Sequence, residues 1–84
     1  MSTATVKLYA SLADRLPPDT RDNTVHVDLA EGATISSTLK ALNVPEALCH
    51  LVLLNGAFVP PGKRKTAALA EGDVLSVWPP VSGG

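Results

Sequence analysis

The chain has 84 residues, 45% of them hydrophobic, with one tryptophan, one tyrosine and one phenylalanine and a net charge of −1. That composition describes one small domain with a core of Val, Leu, Ile and Ala, and its charge balance leaves no footprint for nucleic acid. Cys49 is the only cysteine and His26 and His50 the only histidines, which excludes an internal disulfide, a multi-cysteine zinc site and a four-cysteine iron–sulfur cluster.

The first residues lack the apolar core of a signal peptide, and the run Leu51 to Leu54 is far too short to cross a membrane. The default compartment is therefore a reducing cytoplasm. Thr5 to Ala10 alternates, with Val6, Leu8 and Ala10 on one face and Lys7 and Tyr9 on the other, which predicts a half-buried strand. Ser11 to Leu16 predicts a helical turn closed by Pro17-Pro18, and residues 19–23 a polar turn. Thr24 to Leu29 alternates again, with Val25, Val27 and Leu29 inward and His26 and Asp28 outward, completing a hairpin.

The period then changes. Thr34 is placed as an N-cap, and Ile35, Leu39 and Leu42 recur at helical spacing on a single apolar stripe. Asn43 and Pro45 bound this helix, and Pro45 to Leu48 is expected to form one further turn. Leu51 to Leu54 reads as a third strand, and Asn55-Gly56 supplies the positive-φ pair of a tight hairpin turn into Ala57-Phe58-Val59. The loop from Gly62 to Glu71 carries Leu69 as a core plug and Lys63-Arg64-Lys65, which reads as a solvated charge run. Glu71-Gly72-Asp73 turns the chain into a last strand, Val74 to Trp78.

Strand, strand, helix, strand, short strand, strand is the order of the β-grasp, or ubiquitin-like, fold. This is an α+β class with a mixed sheet of four to five strands and one main helix packed on one face. The expected core is Val6, Leu8, Val25, Val27, Leu29, Ile35, Leu39, Leu42, Leu69, Leu75 and Val77. No repeat or linker divides the chain, so residues 1–78 are read as the domain and 79–84 as a flexible tail.

That tail, Pro79-Pro80-Val81-Ser82-Gly83-Gly84, cannot pair into a sheet, because proline lacks the ladder N–H. Gly83 and Gly84 have no Cβ, so the terminal carboxylate is expected to sit on a thin thread that fits a narrow cleft.

These segments together resemble the MoaD/ThiS family of ubiquitin-like sulfur carriers. The matching stretches are Val6 to Leu12, Gly32 to Ile35 with Leu39 and Leu42, Leu54-Asn55-Gly56, Leu69 to Val74, and the tail. The Pro-Pro-Val-Ser-Gly-Gly end is similar in particular to the molybdopterin synthase small subunits of that family. The resemblance implies a carrier rather than a catalyst, with no catalytic residue, no metal and no stably bound cofactor. By that resemblance a ubiquitin-activating-type adenylyltransferase uses ATP on the Gly84 carboxylate. A sulfurtransferase or cysteine desulfurase then supplies sulfur, and the thiocarboxylate tail inserts into a molybdopterin synthase large subunit. Gly84 would carry the sulfur, with Gly83, Ser82 and Val81 threading the cleft.

Trp78 shares a strand face with Ser76, opposite Leu75 and Val77, and is the candidate partner anchor, with Leu53 extending the patch. Cys49 beside His50 reads as a small buried residue rather than a nucleophile with its base, since neighbours in an extended segment point to opposite sides. His26, Asp14 and Arg15 read as solvated, and Asp73 as a turn former. Other functions stay open on the same activated end: a ubiquitin-like modifier joined to lysines, or a sulfur carrier for thiamin thiazole or tRNA thiolation. A plain interaction module with an incidental tail is the third class.

Overall fold

The computed structural model describes residues 2–16 and 22–80. The expectations for Pro17-Pro18, for residues 19–21 and for the tail residues Val81, Ser82, Gly83 and Gly84 lie outside the described residues. Among the described residues the strands are β1 (Ser2–Leu8), β2 (Thr24–Leu29), β3 (Leu51–Leu54), β4 (Ala57–Phe58) and β5 (Val74–Trp78), with one α-helix, α1 (Ile35–Ala41). Short 3-10 turns occupy Ala10–Arg15, Glu46–Leu48 and Pro61–Lys63.

The five strands form one mixed sheet in the order β2-β1-β5-β3-β4. β1 pairs antiparallel with β2 and parallel with β5, setting Val6 opposite Leu75 and Leu8 opposite Val77. β3 runs antiparallel to β5 and turns into β4 through Asn55 and Gly56, whose φ angles of 52° and 86° are those the hairpin turn requires. The arrangement is the β-grasp fold that the element order predicts.

The helix has seven residues, too few to be stable alone. Its first N–H groups are all supplied with acceptors. Thr34 Oγ1 accepts from Ser37 N at 3.2 Å while Ser37 Oγ accepts from Thr34 N at 2.9 Å, a reciprocal capping box. Ile35 N and Ser36 N donate to the carbonyls of Ala67 and Arg64, both at 3.0 Å. The long loop after β4 is thus fastened to the helix start, and Leu69 plugs the core as expected.

Val6, Leu8, Ile35, Leu39, Leu69, Leu75 and Val77 are buried as the alternation predicts, and Val25, Val27, Leu29 and Leu42 pack half-buried against them. The core also takes in Leu12, Leu16, Val44, Cys49, Val52 and Val59, which lie in turns or on the short hairpin where no periodicity marks them. Ala10 was expected inward and is exposed: β1 ends at Leu8, and Ala10 takes a φ of 51° as the chain enters the 3-10 turn.

The largest correction concerns the basic triplet. Lys63 and Lys65 are exposed, but Arg64 is 2% exposed. Its Nη1 donates to Cys49 O at 2.7 Å, while Nη2 and Nε donate to His50 O and Val59 O, each at 3.4 Å. A planar guanidinium with five donors can reach several carbonyls at once, which a solvated lysine cannot do. Arg64 joins the connection before β3 to the end of the β4 hairpin.

Asp73 shapes its turn as expected. Its Oδ1 accepts from Asn55 Nδ2 at 3.0 Å and its Oδ2 from Ala70 N at 2.8 Å, and Asn55 Oδ1 in turn accepts from Val74 N at 2.8 Å. The Asn55 bond first, and the Ala70 bond second, hold the Asp73 carboxyl below its ordinary value of 3.8. A carboxyl with a lower folded pKa adds stability above the unfolded value, and that stability is lost as pH falls through the folded one. Asp73→Asn, which keeps one acceptor oxygen of two, is expected to be less stable than the parent at pH 7. The gap should close as pH drops below 3.8. Urea melts at pH 7 and pH 3 check this; a gap of equal size at both would show that the charge contributes nothing.

Candidate functional site

The outer face of the sheet, away from α1, gathers the residues singled out as a partner surface. On β5, Leu75 and Val77 point into the core with no exposure, while Val74, Ser76 and Trp78 lie half-buried on the other face. The β3–β5 register sets Leu53 opposite Ser76 and Leu51 opposite Trp78, and directly opposed residues share a face. Trp78, Ser76 and Leu53 therefore occupy one surface, as the alternation of each strand predicts.

Three neighbours escaped the sequence reading as members of this surface. Phe58 on β4 lies opposite Leu53 and is 58% exposed. Leu51 opposes Trp78. Tyr9, just past β1, stacks on Trp78 with ring centroids 4.3 Å apart and planes 2° from parallel. The alternation of residues 5–10 already placed Tyr9 on the outer side of its strand. Only the parallel β1–β5 pairing sets that ring against Trp78. The pair forms a flat aromatic surface that is both apolar and wet at its edge.

This surface stands where the tail begins. Tyr9 N donates to Val77 O at 3.1 Å and His50 N donates to Trp78 O at 2.9 Å, so β5 is gripped on both sides up to its last residue. Pro79 and Pro80 follow at once without strand pairing. The residues expected to thread and carry, Val81, Ser82, Gly83 and Gly84, leave from this point and lie outside the described residues.

Nothing else among the described residues assembles into a reaction centre. Cys49 is buried and His50 exposed, so the two do not meet as a nucleophile and its base. Burial pushes the Cys49 thiol up, more than the nearby Arg64 guanidinium draws it down, and its Sγ donates to Pro45 O at 3.4 Å. It is a thiol, not a thiolate. His26 Nδ1 shares a hydrogen bond of 3.1 Å with Thr5 Oγ1 on the solvent side. Asp14 and Arg15 are both exposed, as expected, and Arg15 Nη1 donates to Asn43 O at 2.7 Å. Among the described residues, no group of three or more His, Cys, Asp or Glu side chains could hold a metal. No helix among them is long and apolar enough to cross a membrane.

The sequence pattern of the Mut7-C ubiquitin family matches residues 1–82. Among solved structures, the chain is similar to small archaeal modifier protein 1 of Haloferax volcanii. The two are 31% identical over 99% of this chain and 100% of that one, with a TM-score of 0.68. It is also similar to the complex of subunits 1 and 2 of the molybdopterin-converting factor from Helicobacter pylori, at 18% identity, 98% and 99% coverage and a TM-score of 0.60. The thiamine biosynthesis protein ThiS of Geobacter metallireducens matches at 21% identity, 95% and 99% coverage and a TM-score of 0.60. The last two likenesses speak to the fold. No curated protein matches the sequence.

Proposed function

The chain belongs to the Mut7-C ubiquitin family, and we propose that it is a sulfur carrier of the MoaD/ThiS kind acting through Gly84. The observation that carries this reading is the geometry at the end of β5. A strand gripped up to Trp78 hands over to Pro79-Pro80 beside an aromatic surface, and the sequence beyond is Val81-Ser82-Gly83-Gly84. A partner that docks on the surface meets the chain where β5 ends and the tail sequence starts.

The chemistry needs little from the carrier itself. A carboxylate is a poor electrophile. Attack of the Gly84 carboxylate on the α-phosphorus of ATP expels pyrophosphate and leaves an acyl adenylate. A persulfide carried by a sulfurtransferase or cysteine desulfurase then forms the C–S bond as the C–O bond to AMP breaks, and a thiol of that donor cleaves the resulting acyl disulfide, releasing the thiocarboxylate and leaving a disulfide on the donor. Adenylation belongs to the activating enzyme, and ATP is its cofactor rather than the carrier's. In the molybdopterin reading, the loaded tail enters the large subunit of a molybdopterin synthase in the cytoplasm, and that subunit moves the sulfur to its pterin precursor. The thiazole and tRNA acceptors differ only in the partner that receives the tail.

The test is the intact mass of the purified chain after incubation with Mg-ATP, an activating enzyme shown to load its own carrier, and a sulfur donor. A gain equal to the difference between sulfur and oxygen, mapped to the peptide ending in Gly84, is expected. An unchanged mass would sink the proposal.

The likeness to an archaeal modifier protein favours a second reading, in which Gly84 is joined to lysines of other proteins. Higher-mass conjugates in cell extract, lost when Gly84 is deleted, would support it.

A further inference from the structure

On the helix side of the sheet, away from the aromatic surface, a groove of about 490 Å³ opens between α1 and the segment leading to β3. Leu39, Val44 and Cys49 form its apolar floor. Exposed Lys40 and Lys65 stand on its rim, and Glu46 is the one acidic lining residue among the described residues. The volume falls within the roughly 300–1,000 Å³ of clefts that hold ligands.

Arg64 adds an independent observation. It lines the same groove while being 2% exposed, and among the described residues its hydrogen bonds all go to backbone carbonyls. Those carbonyls satisfy N–H groups but carry no net charge, and arginine does not neutralise itself by losing its proton. A buried cation without a counter-charge is costly. With Lys40 and Lys65 it gives the groove three positive charges against the one carboxylate of Glu46.

We propose that this groove docks an acidic peptide segment of a partner protein. An aliphatic side chain of that segment fills the floor at Leu39 and Val44, and its flanking carboxylates reach Lys40 and Lys65 over the field of Arg64. Charge complementarity chooses the occupant: an apolar floor takes an aliphatic anchor, and a cationic rim on two separate elements suits carboxylates on either side of it. The docking lies on the face opposite Trp78 and needs nothing of the tail. It stands or falls apart from the sulfur chemistry, and it leaves the aromatic surface free for a second partner.

The test is a titration of the full ¹⁵N-labelled chain with the capped peptide acetyl-Glu-Leu-Asp-Leu-Glu-amide, followed by amide chemical shifts. Saturable shifts are expected at Leu39, Lys40, Val44, Cys49 and Lys65, with none at Lys7, Ser76 or Trp78. The double variant Lys40→Glu, Lys65→Glu changes only exposed side chains and keeps the fold. It should weaken binding about tenfold, as two reversed ion pairs of modest strength predict. Four results would each overturn the proposal: no saturable shift; equal binding of the Gln/Asn version of the peptide; shifts on the outer sheet face instead; or saturation by octanoate with none by the peptide, which marks a fatty-acid site.

Discussion

Replacing Arg64 with alanine is expected to lower the unfolding free energy by about 3 kcal/mol, the sum of several carbonyls left without a donor in a poorly hydrated place. Arg64 is bound to Cys49 O, His50 O and Val59 O, with the Cys49 bond the shortest at 2.7 Å. Water entering through the adjoining groove recovers part of the loss, and removing a buried charge recovers some of its desolvation cost. The figure is accordingly below a full penalty of about 1–3 kcal/mol on each of three groups. For a domain of this size, about 3 kcal/mol corresponds to a fall in melting temperature of roughly 15 °C.

Arg64→Lys should restore less than half of it, because one ammonium cannot copy a planar fork. The loss also has a direction. Arg64 O accepts from Ser36 N at the start of α1, and His50, whose carbonyl Arg64 holds, donates its N–H to Trp78 O. Hydrogen exchange at Ser36 and His50 should therefore speed up ahead of exchange in β1. Urea melts check the magnitude. An Arg64→Ala chain within 1 kcal/mol of the parent would mean that the triplet is a solvated loop after all.

On the proposed sulfur-carrier function, Trp78→Ala is expected to weaken binding to an activating enzyme or to a large-subunit partner at least thirtyfold, about 2 kcal/mol, the range of a tryptophan hot spot. Its fold should survive. Leu75 and Val77 keep β5 in the core, and the chain loses only a half-exposed ring and its stack on Tyr9, worth about 1 kcal/mol. Tyr9→Ala removes the other half of the stack and should show a smaller effect of the same sign. Calorimetry of each variant against the same partner decides. Unchanged affinity, in a variant whose circular dichroism matches the parent, would remove Trp78 from the interface.

The two expectations concern residues of opposite legibility. Trp78 was readable because strand alternation is a local signal: Leu75 and Val77 have to face the core, so Ser76 and Trp78 have to face away. Its partner Tyr9 was readable as to face but not as to neighbour, since the two lie 69 residues apart and meet only where β1 and β5 run side by side. Arg64 was misread because a charged triplet in a loop carries no period. Its burial depends on carbonyls at Cys49, His50 and Val59, whose positions are set by other elements.

The parts of the fold legible in the chain are those whose physics is short-range. These are the two alternating strands of the first hairpin, the Thr34 cap, the Asn55-Gly56 turn, the prolines that end β5 and the apolar stripe of α1. Each follows from backbone sterics, side-chain period or a hydrogen bond reaching no more than a few residues. The entry of β5 beside β1, the burial of Arg64 and the gathering of Tyr9, Leu51 and Phe58 around Trp78 emerge with the assembled fold. Those outcomes depend on which strands become neighbours, and neighbours are chosen by the whole core closing at once rather than by any one segment.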